Sequence, residues 1–306
     1  MMSIRMPDGN WPTMVTLFNE DKSIDYRAMS KLINWYIEHG ADGLFAICQS
    51  SEMFYMSLKE RAELAAFVVK EAAGRVPVIA SGHISEAPSD QIEEIKTIAD
   101  TGIEAFVMIS NRLALVNEED EILMQRVEHI LKHVPDVSFG MYECPLPYKR
   151  LVTPSLLRWL ADTGRFYFLK DTCCDALEIA RRQKAVEGTQ LKLYNANTAT
   201  LLESYRLGLA GYSGIMANFH LDLYAWLFRN WKQEPEKAEQ LQAFLTVASF
   251  IERQEYPLNA KYNLQLEGIT ESIQARVRNP IVLSELNRLE VRQLNQYSTL
   301  IQSQFV

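Results

Sequence analysis

The sequence predicts an α/β chain: a closed (β/α)8 TIM barrel followed by a C-terminal helical appendage. Three observations carry that expectation. Short β-rich runs alternate with longer stretches of helical period as far as about residue 230. The strand-like runs number eight and start roughly 20 to 33 residues apart, the spacing of βα units. No glycine-rich GxGxxG fingerprint follows any of them, which weighs against an open doubly wound sheet.

In order, the strands are expected at "MVTLF" (14–18), "GLFAIC" (43–48), "PVIAS" (77–81), "AFVMIS" (105–110), "VSFGMY" (137–142), "FYFLK" (166–170), "LKLYN" (191–195) and "GYSGIM" (211–216). Two intervening helices have readable ends. One opens on the capping box Ser57-x-x-Glu60 and closes on Gly74. Another has Thr153 as its cap, Pro154 in the first turn and Gly164 as its stop. Beyond residue 230 only helical spacing is visible, so the expected organisation is a barrel over 1–230 carrying the active site and a helical region over 231–306.

Composition narrows the function classes. Of 306 residues, 48% are hydrophobic and 23% charged, enough for a large core. A net charge of −8 without a basic run argues against nucleic acid as a partner. No apolar stretch approaches the about 18 residues a membrane helix needs, and "MMSIRMPDGNW" lacks a signal-peptide core, so a cytoplasmic protein without a membrane partner is expected. The four cysteines, Cys48, Cys144, Cys173 and Cys174, form no CxxC pair. Neither a disulfide framework nor a metal centre is expected, and no cofactor is called for.

Barrel chemistry sits at the C-terminal strand ends, which makes Lys170, closing the apolar run "FYFLK", the most informative residue. A lysine in a partly apolar pocket loses solvation of its charged form, and the neutral amine can attack a carbonyl to form a Schiff base. The same lysine could instead snorkel to solvent or pair with Asp171. Tyr142 ends the neighbouring strand and could shuttle protons. Ser50 and Ser51 could hold a carboxylate or serve their own loop, and Glu52 is expected to brace that loop.

These rim residues resemble the dihydrodipicolinate synthase/N-acetylneuraminate lyase family of Schiff-base aldolases from about Trp11 onward. The family's G-S/T-T-G-E followed by L-x-x-E-R stands here as "CQSSEMFYMSLKER", its Y-N-x-P strand end as "YECP", its K-D/E-x-S/T as "KDTCCD" and its late L-G-x-x-G as "LGLAG". The resemblance implies that Lys170 condenses with a 2-oxo acid, usually pyruvate, that Tyr142 is the proton shuttle, and that Ser50 helps hold the carboxylate. It also implies a homo-oligomer, tetramer or dimer.

The departures shape the expected substrate. Cys48, Gln49 and Ser51 replace the motif's first glycine, first hydroxyl residue and second glycine. Arg112 and Leu113 replace the synthase's tyrosine pair, and Pro147 stands where it carries an arginine for its second substrate. These changes argue against a dihydrodipicolinate synthase proper. Thr172, two residues after the lysine as in sugar-acid lyases, together with Asn195 and Asn197, suits a hydroxylated acceptor, while Arg112 could bind a carboxylate. The expected function is therefore a class I carbon–carbon lyase on a 2-oxo acid, with a sugar acid as one candidate substrate. The alternatives are a degenerate barrel that binds a sugar acid without turnover and a metal-dependent aldolase.

Overall fold

The computed structural model describes residue 4 and residues 6–305. Its sheet runs β1 (Gly9–Asn10), β8 (Gly211–Tyr212), β7 (Lys192–Asn195), β6 (Phe166–Asp171), β5 (Phe139–Tyr142), β4 (Ala105–Ile109), β3 (Val78–Ala80) and β2 (Leu44–Ile47). Every pairing is parallel. The extension of β1 closes the ring against β2: Phe45 N donates to Pro12 O at 3.1 Å and Met14 N to Phe45 O at 3.1 Å. The chain is a (β/α)8 barrel.

Six strands fall where the alternation predicts them, the eighth starts where expected but is shorter, and the first lies elsewhere. The run 14–18 lies outside the named strands, and the first ladder is Gly9–Asn10. That ladder is invisible to hydrophobic patterning because it depends on close backbone approach. A Cβ on Gly211 would stand 1.8 Å from Gly9 O, so only glycine fits there. Met14, Val15, Leu17 and Phe18 are apolar because they are fully buried, rather than because they form a ladder. At the other end, β8 stops at Tyr212, and Ile215–Asn218 forms a 3-10 turn over the mouth.

Helices α1 (Tyr26–Glu38), α2 (Leu58–Ala72), α3 (Pro88–Ala99), α4 (Asp120–His133), α5 (Pro154–Asp162), α6 (Ala176–Val186), α7 (Leu201–Arg206) and α8 (Leu221–Asn230) follow the strands. The Ser57 box is formed from both sides: Glu60 N donates to Ser57 Oγ at 3.2 Å and Ser57 N to Glu60 Oε2 at 2.9 Å. Thr153 caps α5 by accepting from Leu156 N at 3.1 Å. Inside the barrel, Trp11, Phe45, Phe168 and Tyr194 pack ring to ring and fill the space beneath the mouth.

Three further helices complete the chain, α9 (Pro235–Ala248), α10 (Leu258–Leu266) and α11 (Glu285–Phe305). Residues 258–264 of α10 are all buried, so this helix is part of the core. An ion pair between buried side chains locks it to the loop after β2: Lys261 Nζ donates to Glu52 Oε1 at 2.6 Å. The other Glu52 oxygen accepts from the backbone of Arg276 at 2.6 Å and Val277 at 2.8 Å. The C-terminal region is thereby clamped onto the barrel mouth. No helix among the described residues is long and apolar enough to cross a membrane.

Candidate active site

Lys170 ends the inward-facing side of β6 and is 3% exposed. Strand alternation turns the next residue, Asp171, to the opposite face, where it accepts from Arg182 Nη1 at 2.7 Å. The strand therefore keeps Asp171 from neutralising Lys170, and among the described residues Lys170 takes part in no ion pair. Burial lowers its pKa to about 8, opposed by Cys48, Cys144 and Glu252.

Register sets Tyr142 of β5 and Tyr194 of β7 on either side of Lys170. The Lys170 Nζ lies 4.6 Å from the centroid of the Tyr142 ring. That ring is buried and packs edge-on against Phe45. Burial raises the Tyr142 phenol well above its ordinary range, so it meets a ligand as a neutral proton donor.

The loop after β2 forms a second wall. Glu52 adopts φ 64°, Met53 N donates to Cys48 O at 3.4 Å, and the chain turns back on itself. Ser51 spends its hydroxyl on this turn, accepting from Cys48 N at 2.8 Å and donating to Cys48 O at 2.7 Å. Ser50 is buried, and its side chain interacts with the Tyr256 phenol. Gln49 Oε1 accepts from Cys144 Sγ at 3.4 Å, which brings it to the β5 side of the mouth. Lys170, Tyr142, Ser50 and Gln49 are thus brought together.

The remaining candidates are held elsewhere or committed locally. Thr172 N donates to Glu143 Oε2 at 2.7 Å and its hydroxyl to Glu143 O at 3.0 Å. Asn195 Nδ2 donates to Thr200 Oγ1 at 3.0 Å, and its Oδ1 accepts from Asn197 N at 2.8 Å. Asn197 Oδ1 accepts from Thr200 N and Oγ1, each at 3.1 Å. Arg112 lies 5.6 Å over the Phe54 ring and lines a 640 Å³ cleft with Asn111, Arg126, Pro147 and Tyr148; neither Lys170 nor Tyr142 lines that cleft.

Sequence reasoning passed over two features. The first is a buried charge cluster behind β5 and β6, in which Arg182 of α6 reaches Glu143 at 2.8 Å and Asp171 at 2.7 Å. Burial alone would lower the Arg182 pKa, but the two carboxylates outweigh it and raise it. Glu143 also accepts from Val152 N at 2.7 Å, so the cluster fixes the loops on both sides of Lys170. An acid in "YEC" and an arginine on the buried face of α6 were the available signal. The second feature is the contribution of Glu252 and Tyr256 from the C-terminal region, for which local sequence carries no signal.

His83 and His220 are buried and held neutral by desolvation, with pKa values lowered to about 3. His83 Nε2 accepts from Ile109 N at 3.3 Å, and His220 Nδ1 lies 3.2 Å from Ser298 Oγ. Among the described residues no three His, Cys, Asp or Glu side chains form a group that could hold a metal ion.

Comparison with known proteins places the chain in a family and agrees with its barrel fold. Residues 6–297 match the family described as the Dihydrodipicolinate synthetase family. A 4-hydroxy-tetrahydrodipicolinate synthase of Shewanella sp. (strain W3-18-1) is 24% identical over 213 residues, 70% of this chain and 71% of that one. The structure of YagE, an E. coli K12 prophage protein of the dihydrodipicolinic acid synthase family in complex with pyruvate, superposes with a TM-score of 0.85 at 22% identity, covering 96% of this chain and 99% of that one. The dihydrodipicolinate synthase DapA-2 of Bacillus anthracis gives 0.85 at 20% identity, covering 97% and 99%. At such identities the structural likeness speaks to the fold.

Proposed function

Because the chain belongs to the dihydrodipicolinate synthetase family, a family of carbon–carbon lyases of the class I aldolase type, we propose that it makes or breaks a C–C bond next to a 2-oxo acid of the pyruvate type through a Schiff base on Lys170. The observation that carries this reading is Lys170 itself: buried at a barrel strand end, without an ion-pair partner among the described residues, and with a pKa lowered to about 8. The pyruvate held by the related YagE supports the same substrate class.

In the cleavage direction the neutral Lys170 amine adds to the C2 carbonyl. The Tyr142 phenol gives its proton to the carbinolamine oxygen, which leaves as water. The resulting protonated imine draws the electrons of the C3–C4 bond into an enamine, while the C4 hydroxyl returns a proton to the Tyr142 phenolate and the fragment beyond C3 departs as an aldehyde. Protonation of C3 and hydrolysis free the 2-oxo acid and restore the amine. Ser50, buried on the loop after β2, holds the substrate carboxylate in this reading.

A hydroxylated sugar acid fits better than the synthase's second substrate. Pro147 stands where the synthase has its arginine, and Arg112 faces a cleft that Lys170 does not line. The test is a panel of 2-oxo sugar acids with pyruvate release as the readout. Pyruvate formed from at least one member, and lost in Lys170→Ala, supports the reading. Thermal stabilisation by a sugar acid with no product would instead favour a binding protein.

A further inference from the structure

Glu252 stands on a single 3-10 turn, Ser249–Arg253, between α9 and α10. The turn packs on Ile215–Asn218, the turn that follows β8 over the mouth. Its backbone is anchored: Ile251 is buried, and Ile251 O accepts from Asn259 Nδ2 at 2.7 Å. The Glu252 side chain itself is half-buried and, among the described residues, has no hydrogen-bond or ion-pair partner.

Its charge acts on groups drawn from several elements around the mouth. They are Lys170 on β6, Cys174 on the loop after it, Tyr212 on β8, Tyr224 on α8, Tyr256 beside Ser50 and the adjacent Arg253. Apart from Lys170, Cys174 and Arg253, these are phenols. Other acids buried in this chain are spent on partners: Glu52 on Lys261, Glu94 on Arg61, and Glu143 and Asp171 on Arg182. An acid held half-buried without a hydrogen-bond partner costs stability, and residues that carry such a cost concentrate at sites of function. Burial raises its pKa to about 7, opposed by Lys170 and Arg253.

The same side of the mouth offers little to an anion. Pro147 occupies the position of the synthase's arginine, and Lys149 spends its ammonium on Thr172 O at 2.9 Å. We propose that Glu252 reads the part of the substrate beyond the Schiff-base carbons, accepting hydrogen bonds from hydroxyl or ammonium donors on the aldehyde half and disfavouring an aldehyde that carries negative charge. This rests on the Schiff-base reading above and gives it a substrate class: uncharged or cationic, donor-rich acceptors.

The test compares the full-length wild type with Glu252→Gln and Glu252→Ala. Borohydride trapping with pyruvate is run first on all three, and an adduct on Lys170 shows that the variants fold and keep the amine. The kcat/KM for addition of pyruvate to glyceraldehyde is then divided by that for glyceraldehyde 3-phosphate. The expected ratio is about tenfold or more in the wild type, falling to within about threefold of unity in Glu252→Gln. If neither aldehyde turns over, titration of both against the trapped adduct replaces the rate ratio, with the same preference expected. An unchanged ratio in the variants, a wild-type preference for the phosphate, or binding of neither aldehyde overturns the Glu252 inference while leaving the lysine chemistry intact. A wild type that forms no adduct overturns both.

Discussion

Lys170 and Tyr142 face each other across adjacent strands: register pairs them on β6 and β5, and the lysine Nζ stands 4.6 Å from the phenol ring centroid. Two residues side by side on neighbouring strands move together with the sheet, so amine and proton donor are positioned by backbone hydrogen bonds rather than by a mobile loop.

The first prediction concerns pH. With a pKa of about 8, Lys170 is neutral in about one molecule in ten at pH 7, against fewer than about one in a thousand for an ordinary lysine. The rate of imine formation with pyruvate should rise about tenfold between pH 6 and 7 and level off above about pH 9. A stopped-flow or quench measurement of adduct formation against pH checks this; a rise that continues toward pH 10.5 would show a solvated amine.

Removing the lysine should stabilise the fold while abolishing chemistry. A base whose folded pKa is depressed is penalised wherever the unfolded chain is protonated, so the penalty is complete below about pH 8 and fades as pH rises toward 10.5. The shift corresponds to on the order of 3 kcal/mol. Lys170→Met is therefore expected to be more stable than wild type in urea at pH 7, by about 1–3 kcal/mol, with the gain shrinking at pH 10.

Tyr142→Phe keeps the ring beneath the amine and deletes the proton donor. Imine formation should slow by about 10²- to 10³-fold, with little change in thermal stability. Single-turnover trapping compared with a thermal melt separates the two effects.

The Glu52–Lys261 pair tests the clamp between the C-terminal region and the mouth. Either Glu52→Gln or Lys261→Met leaves a buried partner uncompensated and should cost about 3–5 kcal/mol, whereas the double variant should recover part of that loss. Urea denaturation of the full cycle measures the coupling, and additive losses would deny it.

What could be read in advance followed the range of the interactions involved. The inner six strands announce themselves because hydrophobic runs and caps are local, as with "AFVMIS" or the Ser57 box. Gly9 against Gly211 is a contact between chain ends that local patterning cannot register. Lys170 and Tyr142 were legible because an ammonium and a phenol end otherwise apolar strands. Ser51, Thr172, Asn195 and Asn197 read as ligand donors from type and position alone; in the structure the Ser51 and Thr172 hydroxyls bond to Cys48 and Glu143, and Asn195 Nδ2 and Asn197 Oδ1 bond to Thr200. Glu252 and Tyr256 reach the mouth only through tertiary packing, more than 80 residues after Lys170.

The central claim is that Lys170 forms the imine, and peptide mass mapping after borohydride reduction in the presence of pyruvate tests it most directly. The account predicts a single reduced pyruvyl adduct on the peptide carrying Lys170, absent without pyruvate and absent in Lys170→Ala. A protein that remains unmodified with pyruvate and with other 2-oxo acids, or that carries the adduct on a different lysine, would contradict it.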